Sequence, residues 1–228
     1  MAEDARGLAS PSFAKDGAEY HPGLAVAHIA HLSTLFSPEG SLAGKRLTDM
    51  SGIDDIVGPA SAIAAIVSDR LGGSVRPVRA IAFDKSASKN WALGWHQDRT
   101  ICVKRREDVA GYGPWTLKQG VVHVQPPFEI TARMATVRIH LDAVDEANAP
   151  LRIALGTHLI GKVADDAAST IAERHRTFVC QADAGDVWIY STPILHASAR
   201  SSGSRRRRVL QIDYSRTALD HTLEWLLD

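Results

Sequence analysis

The chain has 228 residues, of which 45% are hydrophobic and 23% are charged, proportions typical of one globular domain with a substantial core. Lysine and arginine together number 26, as do aspartate and glutamate, so the formal net charge is zero. A neutral chain has no overall field with which to attract nucleic acid or an anionic membrane surface, so the composition argues against both as partners.

The amino terminus and the cysteines bear on the compartment in which the protein works. The chain begins Met-Ala-Glu-Asp, without the basic and apolar segments of a signal peptide, and no stretch predicts a membrane span. Cys102 and Cys180 lack CxxC spacing and are too few for a disulfide framework. We therefore expect a reducing, cytoplasmic location. Ten histidines stand against these two cysteines, and histidine is the commonest metal ligand.

Helical patterns occupy the first third of the chain. Apolar residues within 24–36 lie near helical spacing, and Pro-Glu-Gly at 38–40 ends that run. A second helix is predicted to begin near Pro59, because apolar residues between 63 and 71 form one stripe. The pair Gly72-Gly73 provides its stop signal. Residues 1–74 are thus predicted to be a helical flank.

From residue 75 onward the pattern changes to short runs of β-branched and aromatic residues between turn signals. Six strands are predicted, at residues 75–83, 121–124, 136–141, 178–180, 186–190 and 209–214. The clearest is 136–141, where positions 137, 139 and 141 are apolar and share one face, while Arg138 and His140 lie on the other. Such alternation is typical of a sheet with one apolar face and one polar face.

Two helices are predicted near the carboxyl end, a short one at 165–174 and a terminal one at 217–227 whose leucines face inward. No repeat or linker divides the chain, so residues 1–228 are predicted to form a single domain. Its β core lies at about 75–215, and a C-terminal helix occupies 216–228. Short strands covered by helices from both ends indicate a sandwich or barrel.

The common nucleotide-binding and hydrolase motifs are absent, and a different constellation stands out. His96 and Asp98 are separated by one residue, and in an extended segment such positions point the same way, about 6.5 to 7 Å apart at the backbone. With His196 they supply two nitrogens and one carboxylate, a set that leaves three positions open on a ferrous ion. The His-x-Asp spacing alone is weak, and a polar loop at a strand end is its alternative interpretation.

An arginine run at 205–208 follows His196. A guanidinium can hold a carboxylate through two parallel hydrogen bonds, as a dicarboxylate cosubstrate that chelates iron at its other end requires. Strand alternation places Arg207 and Arg208 on opposite faces of the strand, but it does not show which of them binds the carboxylate. Nucleic-acid binding by this run is not expected, because four charges in a balanced chain are typical of a solvated strand entry.

Four stretches make the chain similar to a known family. They are residues 90–98, 123–127, 141–158 and 185–207, which occur in the family's order within the region 75–215. On these stretches the sequence resembles the phytanoyl-CoA dioxygenase family of iron- and 2-oxoglutarate-dependent oxygenases. Two departures lie in a turn: Ala149 stands where glycine is usual, and Leu-Gly-Thr-His at 155–158 replaces the common Pro-Gly-Ser-His. They concern the local shape of the loop rather than the ligands.

The resemblance implies a fold, cofactors and a reaction. The fold is a double-stranded β-helix, the cupin-like jelly roll, in a mainly β chain with flanking N- and C-terminal helices. His96, Asp98 and His196 bind Fe(II), while Arg207, with help from Ser198, binds the distal carboxylate of 2-oxoglutarate. The family uses O2, releases succinate and CO2, and acts on small molecules. Because relatives that halogenate carry a small residue in place of Asp98, hydroxylation is the expected outcome.

Several alternatives stay open. The same ligands could hold another divalent ion in a cupin-like isomerase or hydrolase, or the chain could be a jelly roll that binds a small ligand without turnover. Neither substrate nor oligomeric state follows from the sequence. Arg138, His123, His140 and Trp115 are candidates for the pocket wall, although a hydrogen-bonded structural role is the expected one for His140. Cys102 is expected to be a small buried residue.

Overall fold

The computed structural model describes residues 10–36, 43–86, 90–203, 205–219 and 222–227. The strands in these ranges are β1 (Ala18–His21), β2 (Gly44–Leu47), β3 (Arg76–Lys85), β4 (Leu93–His96), β5 (Ile101–Val103), β6 (Trp115–Lys118), β7 (Val121–Val124), β8 (Met134–His140), β9 (Leu151–Ala154), β10 (Thr177–Cys180), β11 (Val187–Ser191), β12 (His196–Ser198) and β13 (Arg207–Ser215). The α-helices are α1 (Phe13–Asp16), α2 (Ile29–Ser33), α3 (Asp54–Val57), α4 (Ala62–Leu71), α5 (Phe128–Thr131) and α6 (Ala168–Glu173). Short 3-10 helices occur at Val26–His28, Glu146–Asn148 and Thr157–Leu159.

The strands form three antiparallel sheets. The major sheet has the order β1-β11-β8-β13-β3-β2, the minor sheet has the order β10-β9-β12-β4, and β5-β7-β6 form a third. Neighbours in the sheets are mostly distant in sequence, as expected when strands alternate between the two sheets of a jelly roll. The predicted fold class, a mainly β jelly roll with flanking helices, is confirmed.

The two faces of the major sheet have different environments, as β8 illustrates. Val137 and Ile139 on one face belong to the largest apolar cluster, which also contains Ile63 and Val67 of α4. On the other face, Thr136, Arg138 and His140 are buried polar groups inside the jelly roll. The apolar face therefore anchors the helical layer, while the polar face lines the interior that contains the candidate site.

The predicted strands and two of the predicted helices are confirmed. The six predicted strands correspond to β3, β7, β8, β10, β11 and β13. Helix α4 is capped by the hydroxyl of Ser61, which accepts from the Ala64 amide, and it ends at Gly72 in a left-handed conformation. The short helix predicted at 165–174 corresponds to α6.

The amino-terminal flank is less helical than predicted. The pattern over 24–36 forms a 3-10 turn followed by the short α2, and the stop signal at 38–40 lies outside the described residues. The flank also contributes β1 and β2, which form opposite edges of the major sheet. Pairing with the major sheet satisfies the backbone of β1 and β2, two segments that lie outside the helical pattern at 24–36.

The C-terminal helix predicted at 216–228 is wrong for the residues that the structure describes there. Trp225 is buried and forms a bridge to Val103 of β5, and the Leu226 amide donates to the Cys102 carbonyl at 3.1 Å. The Trp225 indole donates to the Thr217 carbonyl at 3.0 Å. Because the indole is buried, the segment lies alongside β5, and its backbone hydrogen bonds go to β5 instead of forming a helix. No helix among the described residues has the length and apolarity to cross a membrane.

Candidate metal and cosubstrate site

Three candidate ligands meet where β4 and β12 pair. His96 ends β4 and His196 begins β12, and the two are direct partners across the antiparallel pair. Asp98 follows two residues after His96. One ligand atom from each of the three lies within 4.8 Å of the other two, so small side-chain rotations can bring all three onto one ion.

Backbone carbonyls orient both imidazoles. The Nδ1 of His96 lies 2.7 Å from the Gly94 carbonyl, and the Nδ1 of His196 lies 2.9 Å from the Ile194 carbonyl. When Nδ1–H donates to a carbonyl, the Nε2 lone pair is left to bind a metal. Burial, and next the charge of His96, lower the pKa of His196 to about 4, so this ring is neutral at physiological pH.

The Asp98 carboxylate is held by two neighbours from the major sheet. Its Oδ2 accepts from Arg79 at 3.1 Å and from Gln211 at 3.5 Å. Burial alone would raise the pKa of Asp98, but the charge of Arg79 and then of the two histidines lowers it to about 2. Arg79 also pairs with the buried Asp213, its direct partner across β3 and β13. Asp98 is therefore an anion with a fixed orientation.

A cavity of about 360 Å³ extends from these ligands into the jelly roll. Arg207, at the start of β13, is 5% exposed and lines this cavity together with Ser198. The Arg207 guanidinium donates to the Ala149 carbonyl, which also accepts from the Ser198 hydroxyl at 3.3 Å. Arg208 lies on the opposite face and pairs with Asp142 at 2.6 Å. The structure thus distinguishes two arginines that periodicity could not.

Several buried side-chain nitrogens inside the jelly roll lack hydrogen-bond partners. Among the described residues, the Nε atoms of Arg207 and Arg138, both ring nitrogens of His140 and the side-chain amide nitrogen of Asn148 have no hydrogen-bond partner. The expected hydrogen-bonded role of His140 is therefore wrong. Of these residues, Arg207 and Arg138 line the cavity. An unsatisfied buried donor costs about 1–3 kcal/mol, more if charged, so the two arginine Nε atoms favour a bound anion there. The residues fit the distal carboxylate of 2-oxoglutarate.

Comparison with known proteins identifies the family. The sequence model of the phytanoyl-CoA dioxygenase family matches residues 52–209. The chain belongs to the phytanoyl-CoA dioxygenase family. Membership supports an enzyme of the iron- and 2-oxoglutarate-dependent oxygenase class, as the sequence predicted. A search of curated proteins finds no match.

Solved structures of this family's fold superpose over most of the chain. AviO1 from Streptomyces viridochromogenes Tue57 has 20% identity and a TM-score of 0.62, with 92% of this chain and 94% of that chain covered. The epimerase SnoN in complex with Fe3+, α-ketoglutarate and nogalamycin RO has 14% identity and a TM-score of 0.63, with coverages of 93% and 82%. EctD from S. alaskensis with bound Fe has 15% identity and a TM-score of 0.65, with coverages of 89% and 74%. At these identities the likeness shows the fold alone.

The cavity is lined by some of the residues whose role the sequence left open. Arg138, His123 and Trp91 line it. Trp115 does not belong to this lining; it packs against the apolar cluster of Val124 and lies under Arg106. Cys102 is buried, as predicted.

Sequence reasoning missed three residues that support the site, namely Arg79, Lys85 and Gln211. All three lie on inward-facing positions of β3 or β13, two strands that are almost entirely buried. A charged or polar residue inside a buried strand was the available signal, because a polar group that is buried requires a partner. The partner itself, Asp98 for Arg79, becomes visible only when the strands are assembled.

Proposed function

We propose that this protein is an Fe(II)- and 2-oxoglutarate-dependent dioxygenase that hydroxylates a small-molecule substrate. One observation carries the proposal: two imidazoles and a carboxylate converge on one side of a cavity that also contains a buried arginine with an unpartnered Nε. His96, Asp98 and His196 would hold the iron, and Arg207 and Ser198 the distal carboxylate of 2-oxoglutarate. The bound iron supplies oxidative decarboxylation of that cosubstrate by O2, with release of succinate and CO2.

The chain's own residues prepare the site for this chemistry. The neutral ring of His196 and the anionic Asp98 offer lone pairs without first losing a proton. Arg79 and Gln211 fix the Asp98 carboxylate and keep its charge partly balanced before a metal binds. Burial strengthens the attraction between Arg207 and a carboxylate, because little water competes for the guanidinium.

The carboxylate of Asp98 favours hydroxylation over halogenation. Asp98 occupies a position that a small residue would leave open to a halide, which disfavours halogenation. The same fold also hosts the SnoN epimerase and the SnoK carbocyclase, each described as α-ketoglutarate dependent. Their existence makes the fate of the substrate a separate question from the use of the cosubstrate.

Succinate release tests the proposal. Purified protein with Fe(II), ascorbate and 2-oxoglutarate should release succinate slowly without a substrate, and His96→Ala and Arg207→Ala should lower that rate by at least about 100-fold. Matched controls are His31→Ala and Arg205→Ala, because both residues are exposed and lie outside the cavity. With a substrate, one oxygen atom from labelled O2 should appear in the product.

Each competing interpretation has its own result. Equal rates in His96→Ala, Arg207→Ala and the wild type would refute the site. Tight 2-oxoglutarate binding with no succinate would favour a non-catalytic protein. Substrate turnover that needs a divalent ion but no 2-oxoglutarate would favour an isomerase or hydrolase.

A further inference from the structure

The mouth of the cavity holds two cations that the proposed chemistry does not use. Arg46 on β2 and Lys118 at the end of β6 both line the cavity. Neither has an ion-pair partner among the described residues. By contrast, Arg79 is paired with Asp98 and Asp213. The mouth therefore carries positive charge that no carboxylate of the described chain balances.

Arg46 is held in place by a neutral histidine. Its Nε donates to the Nε2 of His123 at 3.1 Å, and the Nδ1 of the same ring lies 3.0 Å from the Val121 carbonyl. Burial lowers the pKa of His123 to about 4, so the ring orients Arg46 without adding charge. This bond uses only Nε, and neither terminal nitrogen of Arg46 has a hydrogen bond to the described residues. An oriented guanidinium with free terminal nitrogens is suited to an oxyanion.

Gln119 fixes the spacing between the two cations. It lies in the turn between β6 and β7 with a positive φ of 54°, a conformation that costs free energy for a residue other than glycine. Its side chain accepts from the Arg46 amide at 3.2 Å and donates to the Gly44 carbonyl at 2.8 Å. The turn that follows Lys118 is thereby fastened to the strand that carries Arg46.

We propose that Arg46 and Lys118 bind an acidic group of the substrate, so that the enzyme acts on organic carboxylates or phosphate esters. The proposal rests on the proposed function and names its substrate class. The acidic group would sit at the mouth, and the remainder of the molecule would extend toward His96 and His196. On β3, Arg46 lies opposite Ile81 and Arg207 lies opposite Lys85, four residues further along the strand. The substrate anion and the cosubstrate would therefore occupy different ends of the cavity.

Ligand-observed NMR with small probes tests the proposal. The probes are phenylacetate, phenyl phosphate and the uncharged phenylacetamide, each added to the protein with and without Mn(II) and 2-oxoglutarate. Both anions should receive saturation from the protein and phenylacetamide should not. Of the two anions, the one with the higher affinity identifies the acidic group. Arg46→Gln and Lys118→Gln should each weaken anion binding by about tenfold or more.

Lys45→Gln is the matched control, because Lys45 is an exposed cation on the same strand, adjacent to Arg46 and outside the cavity lining. It should leave anion binding unchanged. Equal binding of phenylacetate and phenylacetamide would overturn the proposal. So would anion binding that survives both glutamine variants, or that 2-oxoglutarate abolishes, since the latter places the probe at Arg207. If the wild type binds the anions yet releases no succinate, the proposed function is refuted and the anion site stands. If it releases succinate without binding the anions, the anion site is refuted and the proposed function stands.

Discussion

Lys85 is a buried cation beside Arg207, at the inner end of the cavity. It is 2% exposed and is the direct partner of Arg207 across β3 and β13. Its ammonium donates to the Ala199 carbonyl at 2.9 Å and to the Ser198 hydroxyl at 3.4 Å. Burial, followed by the charges of Arg207 and Arg138, lowers its pKa to about 8.

This pKa predicts that 2-oxoglutarate binds less tightly as the pH rises above 8. Below pH 8 Lys85 is charged and attracts the dianion, whereas above it binding must be accompanied by proton uptake, so affinity decreases with pH. Between pH 8 and 9.5 the dissociation constant should rise roughly tenfold. Calorimetric titration of the Mn(II)-loaded protein under nitrogen measures this change.

Lys85→Met provides the comparison for that titration. The variant should bind 2-oxoglutarate more weakly at pH 7, and its affinity should change much less between pH 8 and 9.5. A wild-type dissociation constant that is flat over this range, or an equal slope in both proteins, would mean that Lys85 does not sense the cosubstrate.

Among individual residues, the sequence predicted the candidate ligands, which belong to a recognisable motif. It missed the residues that act through a neighbouring side chain. His96, Asp98 and His196 come together as the spacing and the resemblance indicated. Arg79 and Lys85 were missed because their roles depend on cross-strand pairing with β13, and the register of a pair of distant strands is not encoded in either strand alone. The binding roles of the predicted residues stay predictions until the variants are measured.

Among the elements, the turn before β11 joins the amino-terminal flank to the jelly roll. Gly185 has a φ of 95°, and its carbonyl accepts from the Ala25 amide at 2.8 Å. Its own amide donates to the carbonyl of His140, the last residue of β8, at 2.8 Å. A Cβ at this position would lie 2.6 Å from the Val26 Cα, so glycine is required both by conformation and by space.

Gly185→Ala should lower the free energy of unfolding by about 2 kcal/mol or more, because strain in the left-handed region adds to the clash with Val26. Urea unfolding measures the change. Gly52→Ala is the control, since Gly52 lies in a turn without positive φ and nothing lies within 4 Å of its added Cβ. A similar loss of stability in both variants would show that the close packing on Val26 contributes nothing.

The elements themselves were predictable where one periodicity dominates. Strands such as β8 alternate cleanly, and α4 combines an apolar stripe with a glycine stop, so local pattern and tertiary packing agree. The terminal segments differ because their backbone bonds come from other parts of the chain. Residues 18–21 pair with β11, and Trp225 pairs with β5, contacts that local spacing does not contain.

Over the whole molecule, charges that cancel in sum are unevenly placed. The cavity is lined by five arginines and lysines, which are Arg46, Arg79, Lys118, Arg138 and Arg207, and by one carboxylate, that of Asp98. Zero net charge therefore excludes a global electrostatic role but allows a positive interior. Such an interior destabilises the unliganded protein, because its cations repel one another and several of its buried donors lack partners.

Binding of an anion should therefore stabilise the whole fold. At 100 times its dissociation constant a ligand adds about 2.7 kcal/mol, and for a chain of this length each kcal/mol raises Tm by about 2–4 °C. Mn(II) together with 2-oxoglutarate should thus raise Tm by roughly 5–10 °C. Differential scanning calorimetry with each ligand alone and with both measures the two contributions.

The variants separate the two ends of the site. Arg207→Met should keep the rise in Tm due to Mn(II) and lose the additional rise due to 2-oxoglutarate, whereas His196→Ala should lose the rise due to Mn(II). Arg205→Met, which alters an exposed arginine of the same run, should behave as the wild type. If 2-oxoglutarate raised the Tm of Arg207→Met as much as that of the wild type, the cosubstrate would be held elsewhere. The stabilisation would then have to come from Arg138, Arg46 or Lys118, which also line the cavity and have no ion pair among the described residues.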